Sequence, residues 1–192
     1  NGDVHHPFRP GSDLEYLTGF PEPGAVLVLT YAKAGRGMKL SSTLFVRPRD
    51  KAREQWDGPR FGVTRAQRAF RVDAAYPIGE LEARLPDLLA GQGMLHMGLG
   101  RDPKLDSKVM AACRTAAMRA RRRSPARHPA IRDPQPDLAA MRLIKDSTEL
   151  QALDRAAHVT ADGHRVAMAI ARPGMFEYQV QAELEAAFRH GG

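Results

Sequence analysis

The chain has one cysteine, one tryptophan and 6% aromatic residues, and each scarcity removes a class of function. Cys113 has no partner for an internal disulfide, so the fold must rest on packing, and a reducing compartment, the cytoplasm, is the expected address. A cysteine-rich zinc site is excluded by the same count. No run of about 18 apolar residues occurs, so no transmembrane helix is expected and no membrane partner is assigned. The seven histidines include no His-Glu-x-x-His pair, and His158 and His164, six residues apart, fall about 240° apart around a helix and do not converge. His164 is expected to pack on an apolar stripe. A Gly-x-Ser-x-Gly elbow is missing, and Gly35-Arg36-Gly37 is too short a signal for a phosphate loop. No catalytic residue and no metal ligand is therefore assigned within the chain, and Cys113, on an apolar helical face, reads as inert.

What is present is an ordinary folding composition: 192 residues, 43% of them hydrophobic, enough for one large or two small domains. Charge divides them. Residues 1–136 hold 23 Lys and Arg against 14 Asp and Glu, while residues 137–192 hold 6 against 8. The shift coincides with Asp133-Pro134-Gln135-Pro136, so two units are expected, 1–136 and 137–192. The chain starts at Asn1 and its last helical pattern runs to the end, from which an internal piece of a longer protein is expected.

In the first unit, Ala25–Tyr31 has the length and composition of a buried central strand, Ala32–Lys39 reads as a basic loop, and Leu40–Val46 as a second strand joined to the first as a hairpin. Gly62–Thr64 and Val72–Pro77 read as edge segments. Helical spacing of Leu81, Leu85, Leu88 and Leu89 predicts an amphipathic helix over 78–90, closed by Gly91. A strand at Met94–Leu99 and a helix over 102–123 follow. Strands alternating with helices predict an α/β layer with a mixed sheet. Near the start, Ser12 or Asp13 is expected to cap a short helix, with Gly19 relaxing the backbone before a strand; this structural reading outweighs a chemical one.

In the second unit, Asp146 and Glu149 are spaced as a capping box that starts a helix near Ser147. Leu150, Leu153, Ala157, Thr160, His164, Met168 and Ala171 form its stripe. Pro173-Gly174 ends it, and a second helix with Phe176, Val180, Leu184, Ala187 and Phe188 on one face follows.

Several stretches carry a family resemblance. Arg9, Ser12-Asp13 and Tyr16-Leu17-Thr18-Gly19-Phe20 resemble the aminopeptidase P signature R-x-x-S-D-x-x-Y-L-T-G-F. Arg47, Asp50, Glu54, Trp56, Gly58 and Arg60 resemble a second stretch of that family. Met141–Asp146 with Glu149-Leu150 is similar to the entry into its catalytic domain, and Arg172–Tyr178 to the turn between that domain's first two helices.

The resemblance implies an α/β fold: a mixed-sheet N-terminal domain of the creatinase and aminopeptidase P type over 1–136, lacking its first strand and helix, followed by the first two helices of a truncated pita-bread domain over 137–192. It implies that the parent protein is a Xaa-Pro aminopeptidase acting on peptides with proline at position two. Two divalent metal ions, usually manganese, serve the intact family enzyme; their ligands, two Asp, one His and two Glu, would lie beyond Gly192, so this chain alone is expected to bind none and to be inactive. The N-terminal domain is implied to form a homo-oligomer and the rim of an active site. Trp56 is placed at that rim, and Arg122 or Arg123 is where an arginine near the active-site mouth would fall. From the residues alone, Trp56 can equally be an interface contact or a ring packed across its own domain's edge.

Two other readings stay open. A prolidase- or creatinase-like relative would share the architecture and change the substrate. The run Arg119–Arg123, with Arg127 and His128, allows a noncatalytic nucleic-acid-binding module, but aromatic interleaving is missing and cations at a helix C-terminus need no polyanion.

Overall fold

The computed structural model describes residues 8–120 and 128–191. They divide into two compact units, Asn1–Pro136 and Asp137–Gly192.

The first unit is built on β2 (Gly37–Val46), which pairs antiparallel with β1 (Val26–Ala34) and parallel with β3 (Ala74–Pro77). This is the mixed sheet. Its centre is β2, however, and β1 forms an edge, with Leu29 47% and Tyr31 61% exposed. An apolar run of strand length does not distinguish a strand covered on both sides from one whose far half stands clear. The two strands also continue through most of the expected loop, leaving only Gly35-Arg36 as the turn. A two-residue connection matches the twist of paired strands.

Alternation along β2 then assigns the layers. Phe45 points to one face, among Leu81, Leu85, Leu89, Val109, Ala112 and Cys113. Leu44 and Val46 point to the other, among Phe20, Ala66, Val72 and Ala75. Helices α4 (Leu81–Leu88, entered by a 3-10 turn over Ile78–Glu80) and α5 (Pro103–Ala120) supply the first cluster. Helix α3 (Gly62–Ala69) supplies Ala66 to the second. The expected edge segment at Gly62–Thr64 is thus the first turn of a helix. A second sheet pairs β4 (Met94–His96) in parallel with β5 (Ala130–Arg132).

Helix α1 (Ser12–Thr18) begins at Gly11, and neither Ser12 nor Asp13 caps it. Asp13 instead accepts hydrogen bonds from Gln135 Nε2 at 2.5 Å and Arg101 Nη1 at 3.4 Å, tying the signature stretch to residues about a hundred positions away. Gly19 ends the helix in the left-handed conformation (φ 67°). It turns Phe20 into the core, fully buried against Phe61 and Phe70. Asp73 locks the entry to β3: its carboxylate accepts from the Ser42 amide and hydroxyl, each at 2.7 Å. Those bonds hold its pKa below the ordinary carboxylate value.

Helix α6 (Gln135–Leu143) crosses the division between the units. In the second unit, α7 (Ser147–Ile170) and α8 (Glu177–Gly191) form a hairpin. The capping box is present: Asp146 accepts from the Thr148 and Glu149 amides, and Glu149 from the Asp146 amide. The contact face of α7 is not the predicted stripe. Leu150, Leu153 and Met168 are more than half exposed, and His164 is exposed rather than packed. Gly163 is the buried residue of the helix, with the Phe188 ring against it. A glycine scores low in an apolar periodicity, so the face that admits the closest approach was hidden by its lack of a side chain. In α8 the half-buried residues include Val180, Leu184, Ala187 and Phe188, as the spacing predicts, while Phe176 is exposed and stacks on Tyr178.

Candidate substrate rim

The stretch around Trp56 reads as a loop by composition and is a helix in fact, α2 (Lys51–Asp57). Its seven residues have no apolar stripe, and polar side chains hold it. Asp50 caps the start, accepting from the amides of Ala52 (3.1 Å) and Arg53 (3.2 Å). Glu54 reaches back to accept the Asp50 amide at 3.1 Å and pairs in bidentate fashion with Arg49, Nε to Oε1 at 2.6 Å and Nη2 to Oε2 at 2.7 Å. The Arg49 guanidinium, first, and then the Asp50 amide hold the Glu54 carboxyl below its ordinary range, although burial opposes them. The far end is fixed by Arg60, itself buried, which donates to Asp57 at 3.2 Å and to the Pro48 carbonyl at 3.4 Å.

On this braced turn Trp56 stands 85% exposed. Among the described residues it has no ring or hydrogen-bond partner. A short helix tied at both ends thus presents a large apolar ring outward, and its own unit covers little of it. That arrangement can supply contact area and orientation; it offers no acid, base or nucleophile.

Arg122 and Arg123 lie outside the described residues, as do Arg121 and Arg127. Arg119, which begins that basic run, pairs with Asp87 at 2.7 Å. Among the described residues no group of three or more His, Cys, Asp or Glu could hold a metal ion, so those residues do not fit a metal centre. Cys113 is buried, and burial pushes its thiol pKa up, away from the reactive thiolate. No helix is long and apolar enough to cross a membrane, again among the described residues. The braces at Arg49, Glu54 and Arg60 were not predicted as a site. Their signal was available in the sequence as an acid four residues after Asp50 flanked by two arginines.

Residues 1–96 match the family model "Aminopeptidase P, N-terminal domain". The chain belongs to the aminopeptidase P N-terminal domain family. It is 35% identical to a Xaa-Pro aminopeptidase of Haemophilus influenzae across 96% of its length and 39% of the relative's. With the Xaa-Pro aminopeptidase of Escherichia coli it shares 36% identity, covering 100% of this chain and 43% of that protein. A solved structure of zinc-substituted E. coli aminopeptidase P in complex with product superposes with a TM-score of 0.88 at 35% identity, covering all of this chain and 43% of that one. The chain thus spans about two fifths of the length of the relatives it matches. The aminopeptidase P resemblance and the mixed α/β architecture expected from the sequence are both borne out.

Proposed function

We propose that this chain is a portion of a Xaa-Pro aminopeptidase, a cytoplasmic hydrolase that removes the first residue of peptides carrying proline second. Residues 1–136 serve as its N-terminal domain, which associates with further copies and shapes the rim of an active site; residues 137–192 open the catalytic domain. In this reading two divalent metal ions, manganese by the resemblance, are held by residues outside these 192, and none of that chemistry falls to the side chains described here. Their part is to position the peptide.

The observation that carries the rim assignment is Trp56, 85% exposed on a turn fixed by Asp50, Glu54 and Arg60. Stiffness without burial is the property of a contact platform, because ordering lost on binding has already been met in folding. Kinetics of the complete enzyme test it. Trp56→Ala should lower kcat/KM for Xaa-Pro peptides with metal content unchanged; equal kcat/KM in both proteins would remove Trp56 from the rim.

A further inference from the structure

An open cleft of ≈ 560 Å³ has walls that include Arg49, Phe61, Thr64, Arg65 and Arg68. Its volume is within the range of small-ligand sites. Three guanidiniums line it, and they are not equivalent. Arg49 is neutralised by its bidentate bond to Glu54. Arg65 lies over the Phe61 ring, 4.9 Å from its centre, and neither it nor Arg68 has an acidic partner among the described residues. Arg65 and Arg68 are three apart on α3, so they stand on one face of the helix about 5–6 Å apart at Cβ.

The first turn of α3 contains no acidic residue of its own; the carboxylate favoured there comes from Glu22, which accepts the Phe61 amide at 2.6 Å. Gly62 shapes the wall as well: with φ at +65°, a Cβ on it would come within 2.7 Å of Arg49 Cγ. Only a glycine lets the Arg49 stem lie against the start of α3 and carry its guanidinium to the cleft. The positive charge of the cleft is carried by Arg65 and Arg68, since Glu22 answers the helix end and Glu54 answers Arg49.

From these features we infer that the cleft binds a small ligand through a diphosphate group, with Arg65 and Arg68 gripping its oxygens and the Thr64 hydroxyl available beside them. Two unneutralised forks one helical turn apart match a group carrying at least two negative charges on adjacent tetrahedral centres, and guanidinium recognises such oxygens in bidentate fashion. The site is separable from the peptidase reading: Arg49 alone of its walls also braces the Trp56 turn, through Glu54, and Arg65, Arg68 and Thr64 have no part in that brace.

The test is calorimetric titration of the protein with inorganic pyrophosphate at low salt, beside the Arg65→Gln/Arg68→Gln double variant and Arg114→Gln, which removes an exposed arginine from α5 instead. Pyrophosphate should bind the parent protein, about tenfold or more weaker to the double variant, and within about twofold of parental affinity to Arg114→Gln. Single Arg68→Gln and Arg65→Lys variants should fall between. Adenosine diphosphate binding as tightly as pyrophosphate identifies the diphosphate as the recognised group whichever molecule carries it. No measurable pyrophosphate binding, equal weakening in Arg114→Gln, or sulfate binding as tightly as pyrophosphate would each overturn the inference.

Discussion

Truncating Trp56 separates a contact platform from a structural anchor, because the two roles differ several-fold in magnitude. With 85% of the residue exposed, its own unit covers only about a seventh of a surface of roughly 250 Å², or about 35 Å². At about 25 cal/mol per Å² that is worth about 1 kcal/mol, against about 3–5 kcal/mol for a buried aromatic cut to alanine. The melting temperature of Trp56→Ala should therefore fall by only a few degrees. In the complete enzyme a bound peptide that covers half of the open surface removes about 100 Å² from water. That amounts to about 2.5 kcal/mol, a ceiling of about 70-fold in kcat/KM, and since area does not convert in full, a fall of about tenfold is expected. Loss of uniform contact raises KM; loss of orientation lowers kcat. Steady-state kinetics with a Xaa-Pro peptide, metal analysis and a thermal melt on one preparation decide it. A melting temperature lowered by ten degrees or more, with the surviving fold keeping parental kcat/KM, would refute the argument from exposure.

Three further outcomes follow from the packing. The Glu54 and Asp73 carboxyls lie below their ordinary pKa values in the folded chain, so their contribution to stability is complete above the unfolded-state value and is lost as pH falls through the folded one; melts between pH 6 and pH 3 should show a flatter acid limb for Glu54→Gln than for the parent, and an unchanged limb would count against the Arg49 brace. Asp73→Asn keeps the shape but weakens two charge-assisted bonds to Ser42, so amide exchange should quicken at Ser42 and around the Thr43–Ala74 pairing; protection equal to the parent's would show that the strand register is fixed without this latch. Gly163→Ala places a Cβ against the Phe188 ring, 3.0 Å from Cδ1 and 3.2 Å from Cζ besides a closer approach to Cε1; overpacking of about 1–3 kcal/mol should exceed the helix-propensity gain of about 1 kcal/mol, and Phe188→Leu should relieve it in a double-mutant cycle, additivity of the two being the contrary result.

How far the fold was legible depended on whether a side chain announced its own environment. The capping box at Asp146, the turn at Pro173-Gly174 and the leucines of α4 did so, because each acts through local chemistry or a repeated period. Strand order did not: β1 and β2 have similar composition, and only the parallel partner supplied by Ala74–Pro77 makes β2 the centre. The α7 face was misplaced for the opposite reason. Leu150, Leu153 and Met168 set the apolar period, yet the close contact is made at Gly163, where a missing side chain lets Phe188 in.

The site was legible in identity and illegible in form. The Glu54-x-Trp56-x-Gly58-x-Arg60 pattern singles out the tryptophan, but a polar stretch without apolar period has the composition of a loop and carries no sign of its rigidity. That rigidity arises from pairings of residues two to twelve positions apart: Asp50 with the amides of Ala52 and Arg53, Arg49 with Glu54, Arg60 with Asp57 and the Pro48 carbonyl. Removing any one should loosen the turn without exposing core, because none of them contributes to the two hydrophobic clusters. Arg60 is the partial exception, since its guanidinium is itself buried and its loss would strand the Pro48 carbonyl. If Trp56 positions peptides through stiffness, Glu54→Gln should then reproduce part of the kcat/KM loss of Trp56→Ala while leaving the ring in place. A Glu54→Gln enzyme with parental kcat/KM and a freely mobile tryptophan by fluorescence anisotropy would show that exposure of the ring, and not the bracing beneath it, is what the substrate uses.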